Sequence, residues 1–428
     1  MTPLLSQVLL QNRKPSRIAR IDEYRKSGGY EALARVLKNL SPRDVSHQVG
    51  EANLRGRGGA GFPAGRKWAS VSEKGPFPRY LVTNADEMEP GTFKDRVLIH
   101  ADPHMLIEGM IIAAYAVSAS KGFLFVRPSY ESVASIMERE VKIAEEAGYL
   151  GKNILGSSFS FEIVVHRSGG RYICGESSAM LNAIEGKRPN PRHSPPRSTE
   201  AGLWGKPTVV NNPETLANVP HIIRNGAGWF KDLARSETGS GTKLYCVSGR
   251  VNRPGCFELP IGTPLSELIE EHAGNMVAGH DFKTCLPGGA STRFLPRDLY
   301  NVEMDFEPMI KAGNRLGTGS VIVFDQNTCL VDATLNMTEF FARESCGWCT
   351  PCREGFPYVR DLLRRIENGE GEEEYLPLIR TLCDEMTNSF CSFAPGGVSP
   401  VESLLEFFED EVMEHIRKRK CPFKRSKQ

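Results

Sequence analysis

The chain has 428 residues, with 53 Lys and Arg against 52 Asp and Glu, a formal net charge of +1 and 40% hydrophobic residues. This is ordinary globular composition with room for two to four domains, at roughly 100 to 200 residues each, and the even charge excludes nucleic acid and anionic membrane as default partners. The longest apolar run, Gly109 to Ala119, falls far short of the roughly 20 residues a membrane-spanning helix needs, and no basic region precedes the short apolar run of MTPLLSQVLLQNRK, so neither an anchor nor a signal peptide is expected.

Residues 1–50 read as an N-terminal helical arm, with an amphipathic helix over Tyr30 to Leu40 and another opening at Ser41-Pro42, a cap followed by a good first-turn residue. A glycine-rich loop follows from Arg55. Strands are predicted over 80–84, 122–127 and 161–166, with helices over 104–119 and 131–147 between them, an alternation that argues for a mostly parallel sheet covered by helices. The Pro-rich stretch from Arg188 to Pro213 predicts a long loop without regular structure. Between Lys243 and Phe324 the pattern turns to short strands and turns: KLYCVSGRV, CFELPIG, a short helix from Pro264 and SVIVF at 320–324. Four helices are predicted at the end: Thr334 to Glu344, Phe356 to Asn368, Tyr375 to Glu385 and Pro400 to Lys418. The basic tail 417–428 reads as a solvated terminus.

Eleven cysteines are distributed unevenly. Cys174, Cys246, Cys256, Cys285 and Cys329 are scattered singly, whereas Cys346, Cys349, Cys352, Cys383, Cys391 and Cys421 crowd the last quarter, a pattern of metal chemistry in a reducing compartment. The strongest motif is Cys346-Gly-Trp-Cys349-Thr-Pro-Cys352, whose spacing lets three thiolates converge on one centre. A [4Fe-4S] cluster is the first reading; zinc and free thiols are the alternatives. Cys391, in an irregular segment, is the preferred fourth ligand and Cys383, in a helical one, the fallback.

The loop Arg55 to Trp68 contains Gly56, Gly58, Gly59, Gly61 and Gly65, interleaved with Arg55, Arg57, Arg66 and Lys67. Its G-x-G-x-x-G follows a helical segment, out of context for a Rossmann fingerprint, but a glycine backbone in a positive field suits a phosphate, with a flexible surface loop as the alternative. After the first strand come Asn84, Asp86, Glu87 and Glu89, where ligands of α/β sheets bind. Tyr172-Ile-Cys174-Gly-Glu176-Ser177 follows another strand, with Cys174 read as a small buried hydrophobe.

With LRGRGGAGFPAGRKW (54–68), NADEMEPGTFKDR (84–96), YICGES (172–177), GLWGKPTVVNNPETLANV (202–219) and ESCGWCTPCREG (344–355) in hand, the chain resembles the flavin-bearing (F, or 51 kDa) subunit of NADH dehydrogenase, respiratory complex I, and the related diaphorase subunits of NAD(P)-linked hydrogenases and formate dehydrogenases. The resemblance covers almost the whole chain. It implies an α/β fold: a Rossmann-like FMN- and dinucleotide-binding domain at 51–240, a soluble-ligand-binding β-grasp (ubiquitin-like) module at 241–330 and a [4Fe-4S]-binding four-helix bundle at 331–428. It implies FMN held by Gly56, Arg57, Gly58, Gly59, Gly61, Lys67, Asn84, Asp86, Glu87, Gly175, Glu176, Val210, Asn211 and Asn212, and a dinucleotide near Phe62, Glu89 and Tyr172, with Glu89 and Tyr172 as positioning groups and no general acid or base. The cluster ligands implied are Cys346, Cys349, Cys352 and Cys391.

The activity implied is an NAD(P)H:acceptor oxidoreductase of the NADH:quinone type: hydride to FMN, then single electrons to the cluster and on to partners, a small thioredoxin-like [2Fe-2S] subunit and a larger iron–sulfur subunit. No nucleic acid and no direct membrane insertion are expected, and the location implied is cytoplasmic, peripheral to the inner membrane through partners. The alternatives are a diaphorase subunit of a soluble or bifurcating hydrogenase or formate dehydrogenase and, outside enzymes, a zinc-stabilised binding module.

Three positions depart from the family pattern. Ser177 stands where a second glutamate is usual after YICG; the K-P-P-aromatic segment reads Ser194-Pro-Pro-Arg197; and Ser70 replaces an aromatic residue. Loss of an acid that would repel a 2′-phosphate, with gain of a guanidinium able to grip one, predicts that NADPH is accepted beside or before NADH. Continued use of NADH alone is the alternative. The fourth-ligand segment, TNSFCSFAPGG, also departs from the usual G-x-T-I-C-x-L-G while keeping Cys391 in register.

Overall fold

The computed structural model describes residues 7–14 and 17–423. The start of the N-terminal arm and the last five residues of the basic tail lie outside them. The chain forms two compact units, one of Met1–Met88, Thr92–Tyr245 and Cys256–Thr263, the other of Glu89–Gly91, Cys246–Gly255 and Pro264–Gln428.

The first unit is built on a parallel sheet of β1 (Tyr80–Ala85), β2 (Lys121–Val126), β3 (Glu162–Arg167) and β4 (Thr208–Asn211), in the order β3-β2-β1-β4. β1 is central because its apolar run fits a site covered on both faces. The helix Pro103–Val117 that leaves β1's side of the chain is apolar all round, and every residue but Tyr115 is buried; such a helix can only lie in a core. Asp102 starts it by accepting the N–H of Met105 at 3.1 Å. Its one acid in mid-helix, Glu108, is neutralised by geometry: the N–H groups of Tyr30 and Leu33 donate to it at 2.9 Å each, as does the Tyr24 hydroxyl. A Cβ at Gly109 would stand 2.1 Å from the Leu216 carbonyl oxygen, so this helix meets the helix Pro213–Asn225 backbone to backbone.

The predicted strands and helices between Tyr80 and Val165 are observed within two residues of their expected ends. The helix cap at Ser41 is also observed, its Oγ accepting the Asp44 N–H at 3.2 Å. The stretch 188–213 is a correction: it is not wholly irregular, since it holds the short helix Ser198–Ala201 and ends in β4. Proline forbids a strand only where it must donate. Pro207 and Pro213 fall just outside the ladder, leaving four buried residues free to pair with β1.

The second sheet comprises β5 (Thr242–Gly249), β6 (Gly255–Pro260), β7 (Phe282–Leu286) and β8 (Ser320–Asp325), ordered β6-β5-β8-β7, with β8 parallel to β5 and antiparallel to β7. β7 was not expected from the sequence. Among the described residues the C-terminal region has five helices instead of the expected four: Leu330–Glu344, Thr350–Glu367, Tyr375–Thr387, Phe393–Phe407 and Glu409–Lys418. The single helix expected over 400–418 begins earlier and breaks at Phe408, whose φ of −134° cannot continue an α-helix. Phe341, Phe356 and Phe393 meet at the centre of this region with ring centroids 5.7 to 5.9 Å apart.

Candidate cofactor sites

In a parallel sheet every strand ends on the same side, and a crevice opens where chain order reverses beside the first strand. Here that point lies between β1, which is followed by β2 on one side, and β4 on the other. The residues at the two strand ends are Asn84, near the end of β1, and Asp86 just after it, with Asn211 ending β4 and Asn212 following it. The glycine loop closes over them. It folds back on itself through Gly56 N–H to the Phe62 carbonyl at 2.9 Å, Gly59 and Gly61 take positive φ of 118° and 64°, and a Cβ at Gly58 would lie 3.2 Å from the Asn212 side chain. Glycine is therefore required for both the path and the close approach.

The helix Ala64–Ala69 then returns two side chains to β4: Lys67 Nζ donates to the Val210 carbonyl at 2.9 Å and Trp68 Nε1 to Asn211 Oδ1 at 2.9 Å. Burial holds the Lys67 amine below its ordinary pKa. Thr83 Oγ1, at the same end of β1, is buried with no protein hydrogen-bond partner. A glycine cradle, a buried amine, two amides and an orphaned hydroxyl on one sheet edge fit a polar phosphate ester such as FMN.

The cationic residues of the loop do not all face this edge. Arg57 is 1% exposed and turns inward, its guanidinium donating to the carbonyls of Ser240 and Thr242, so the loop offers its backbone there and not that charge. The acidic segment is likewise divided. Asn84 Nδ2 donates to the Gly175 carbonyl at 3.2 Å and joins the two motifs, and Ser168 donates to Asp86 Oδ1 at 2.5 Å. Glu87 instead caps the helix Lys94–Ala101, accepting the N–H groups of Asp95 and Arg96 at 2.8 and 3.1 Å. Burial, with the Asp95 carboxylate as the second cause, pushes its carboxyl up to about 7.

Beneath Asn212 lies an ion network that no sequence motif singles out, although Lys94, Asp95 and Glu214 fall inside the family segments. Lys94 Nζ is 2.7 Å from Asp95, 2.9 Å from Glu214 and 3.2 Å from Asn212 Oδ1, and Asp95 accepts Asn212 Nδ2 at 2.6 Å. Lys243 reaches Glu214 at 3.3 Å, and all these charges are buried. Burial alone would lower Lys94; the Asp95 and Glu214 carboxylates outweigh it and raise it. Lys243, with one carboxylate, is lowered by burial to about 8. The network fixes the orientation of the Asn212 amide.

Tyr172–Gly175 forms a single turn and Glu176 caps the helix Ser177–Ile184, accepting the Ala179 N–H at 2.8 Å. Cys174, as expected, is buried among Val82, Phe125, Met180 and Leu203. A Cβ at Gly175 would meet nothing within 4 Å. The Arg192 N–H donates to Ser178 Oγ at 2.8 Å, so the segment carrying the exposed Arg197 starts beside Ser177. Phe62 is 48% exposed. Glu89 belongs to the second unit, where its carboxylate accepts the Ser291 N–H at 2.7 Å.

In that unit Cys346, Cys349 and Cys352 surround the start of the helix Thr350–Glu367, with Cys349 as its N-cap residue and Gly347 at φ 73° turning the chain between the first two. The helix N-terminus is a favourable place for thiolates. Burial first, then the neighbouring sulfurs of Cys349, Cys391 and Cys346, push the Cys352 thiol up to about 12. Cys391 is thus gathered with the trio. Cys383 has other neighbours, Glu402, Asp384 and Arg380. A cubane takes four cysteine thiolates, one on each iron, so this donor set fits a [4Fe-4S] cluster.

Sequence families match along the chain: the Nuo51 FMN-binding domain over residues 49–221, the SLBB domain over 244–295 and the NADH-ubiquinone oxidoreductase-F iron-sulfur binding region over 332–415. An F subunit of NADH-quinone oxidoreductase from Rhizobium meliloti is 45% identical over 98% of this chain and 100% of its own length. The chain belongs to the family of NADH-quinone oxidoreductase F subunits. The F subunit of Escherichia coli is 47% identical over 93% of this chain and 90% of its own length. Among solved structures, an NAD+-reducing [NiFe]-hydrogenase in the air-oxidized state superposes with a TM-score of 0.82 at 33% identity, covering 94% of this chain and 67% of that one. As a member of this family the chain is the flavin subunit of an oxidoreductase, with FMN and [4Fe-4S] domains. Among the described residues, no single helix is long and apolar enough to cross a membrane.

Proposed function

We propose that this chain is the electron-entry subunit of a complex I-type assembly, oxidising a reduced nicotinamide dinucleotide at FMN held over the carboxyl edge of β1 and β4 and passing single electrons to a cluster on Cys346, Cys349, Cys352 and Cys391. The convergence of the glycine loop, Lys67, Asn84 and Asn212 on that edge carries the reading. Bound there, FMN supplies the redox chemistry, taking two electrons with a hydride and giving them up singly.

The protein positions and holds charge. The Gly56 to Gly61 backbone approaches the phosphate, Lys67 balances its charge, and Asn84, Gly175, Asn211 and Asn212 bind the polar edge of the ring and its chain. Asp86, Glu87 and Glu176 hold these segments in place, and Arg57 with the Val210 carbonyl fixes the loop and Lys67. Phe62 and Tyr172 offer rings to the dinucleotide. No side chain is required to move a proton. The partners fitting this role are a small thioredoxin-like [2Fe-2S] subunit and a larger iron–sulfur subunit. Trp348 and Phe390, next to ligand cysteines and 60% and 43% exposed, suit such a contact. Attachment to a membrane would then run through partners. The test is flavin content: Lys67→Ala with Asn212→Ala should purify with FMN lost and iron retained, and unchanged FMN would reject the site.

A second reading concerns the dinucleotide. Ser177 next to the Arg192–Ser178 contact, with Arg197 exposed a few residues on, favours acceptance of a 2′-phosphate. Ser177→Glu should lower kcat/KM for NADPH by about tenfold or more while sparing NADH, and Arg197→Phe should move it the same way. Turnover favouring NADH and untouched by Arg197→Phe would reject the NADPH reading.

A further inference from the structure

Four side chains of the C-terminal region that take no part in the cluster meet at one buried point. Cys329 stands before the helix Leu330–Glu344, Glu367 ends Thr350–Glu367, His415 lies near the end of Glu409–Lys418, and Cys421 follows that helix. Cys329 Sγ is 3.3 Å from Glu367 Oε2 and 3.2 Å from His415 Nε2, and His415 Nε2 is 3.2 Å from Glu367 Oε2. With Cys421 Sγ, all four donor atoms lie within 4.8 Å of one another; Glu367, His415 and Cys421 are buried and Cys329 half-buried.

We propose that Cys329, Glu367, His415 and Cys421 form a closed, structural site for one zinc ion, separate from the iron–sulfur cluster. At zinc bond lengths of about 2.3 Å to sulfur and about 2.0 to 2.2 Å to nitrogen and oxygen, the edges of a ligand tetrahedron are about 3.3 to 3.8 Å. The separations among Cys329, Glu367 and His415, 3.2 to 3.3 Å, lie at or just below the short end of that range, and Cys421 Sγ lies within 4.8 Å of all three, so small side-chain shifts complete the tetrahedron. The donor set also selects the metal. Two thiolates with an imidazole exclude magnesium and calcium, which take oxygen, and four protein ligands leave no open position for catalysis. Binding releases the two thiol protons, together with the proton on His415 Nε2 wherever the imidazole carries one, to solvent, leaving two thiolates, one carboxylate, a neutral imidazole and Zn2+ with net charge −1.

The surroundings are those of a built site. His415 Nδ1 donates to the Glu411 carbonyl at 2.8 Å, which turns Nε2 toward the sulfur and the carboxylate, the outer-shell hydrogen bond characteristic of metal-bound imidazole. The Glu411 carboxylate accepts the Leu330 N–H at 2.6 Å and Lys283 Nζ at 2.6 Å, so the residue that orients the imidazole also holds the chain next to Cys329. A Cβ at Gly369 would lie 2.1 Å from the Arg419 carbonyl oxygen, placing the turn after Glu367 directly against the turn before Cys421. The ion would therefore clamp the C-terminal turn to the ends of two earlier helices.

The test is elemental analysis of the untagged full chain, purified anaerobically with its small partner from cells supplied with zinc. About one zinc should accompany about six irons per complex, four from this chain's cluster and two from the partner's [2Fe-2S] centre, and zinc-edge X-ray absorption should give two sulfurs at about 2.3 Å and two lighter atoms at about 2.0 to 2.2 Å. Cys421→Ser and His415→Ala should each lose most of the zinc and keep the iron, whereas Cys346→Ser should lose iron and keep zinc. A full iron complement without zinc, a four-sulfur zinc shell, or a Cys329–Cys421 disulfide in the anaerobic protein would overturn the proposal. The absorption spectrum of the unsubstituted protein decides the matter if the variants fail to fold.

Discussion

Replacing Glu214 by Ala is the most informative single perturbation of the flavin-site scaffold. Its carboxylate is fully buried, pairs with Lys94 at 2.9 Å and Lys243 at 3.3 Å and accepts the Leu244 N–H at 2.9 Å. Removing it strands two buried ammonium groups and one amide. Breaking a buried pair by deleting one partner costs about 3 to 5 kcal/mol. The upper end is not expected, because Lys243, already lowered to about 8, sheds its proton once Glu214 is gone. Lys94 keeps Asp95. A loss of about 3 kcal/mol corresponds to roughly 6 to 12 °C in melting temperature for a domain of 150 to 250 residues. Thermal unfolding of the purified chain, monitored with FMN release, measures it. Glu214→Ala combined with Lys243→Met should recover part of the loss, since the double variant no longer has a buried amine that must give up its proton and lie without its carboxylate partner. A single variant within about 2 °C of the parent, or a double variant no better than the single one, would refute the claim that this network supports the site.

Glu87, pushed up to about 7 by burial, holds its proton more tightly in the folded chain than in the unfolded one, so its contribution is fully present below about pH 4.5 and is lost as pH rises to about 7. Glu87→Gln should therefore flatten the decline in melting temperature between pH 5 and 8; an unchanged slope would contradict the assignment. Gly109→Ala places a methyl 2.1 Å from a backbone carbonyl and should destabilise by at least about 1 to 3 kcal/mol, measured by thermal unfolding. Cys391→Ser should abolish the cluster while Cys383→Ser leaves iron content and the iron–sulfur absorbance unchanged; the reverse outcome would transfer the fourth ligand to Cys383.

What was legible in the sequence was carried by local signals. The strand and helix alternation from Tyr80 to Val165 follows from apolar runs bounded by caps, and the cysteine trio from its spacing. β4 was hidden because four residues between prolines give too short a pattern to read, and only pairing with β1 makes them a strand. The break at Phe408 lies in a stretch whose composition suits one long helix. The expected site residues were found in part for other reasons than supposed: Glu87 caps a helix and Arg57 braces a loop from within. Lys94, Glu214 and Lys243 are far apart in the chain, and so are Cys329, Glu367, His415 and Cys421. No spacing rule joins such residues; the packing of helix and strand ends does.

The central claim is electron entry from a reduced dinucleotide through FMN to the cluster. An anaerobic titration of the full chain with the small [2Fe-2S] partner proposed for it, adding NADH and NADPH in parallel while the flavin and iron–sulfur absorbance are followed, tests it directly. The account predicts bleaching of the flavin band followed by that of the cluster, with NADPH effective at concentrations no higher than NADH. A protein that purifies with full iron and bound FMN yet is bleached by neither nucleotide would contradict it.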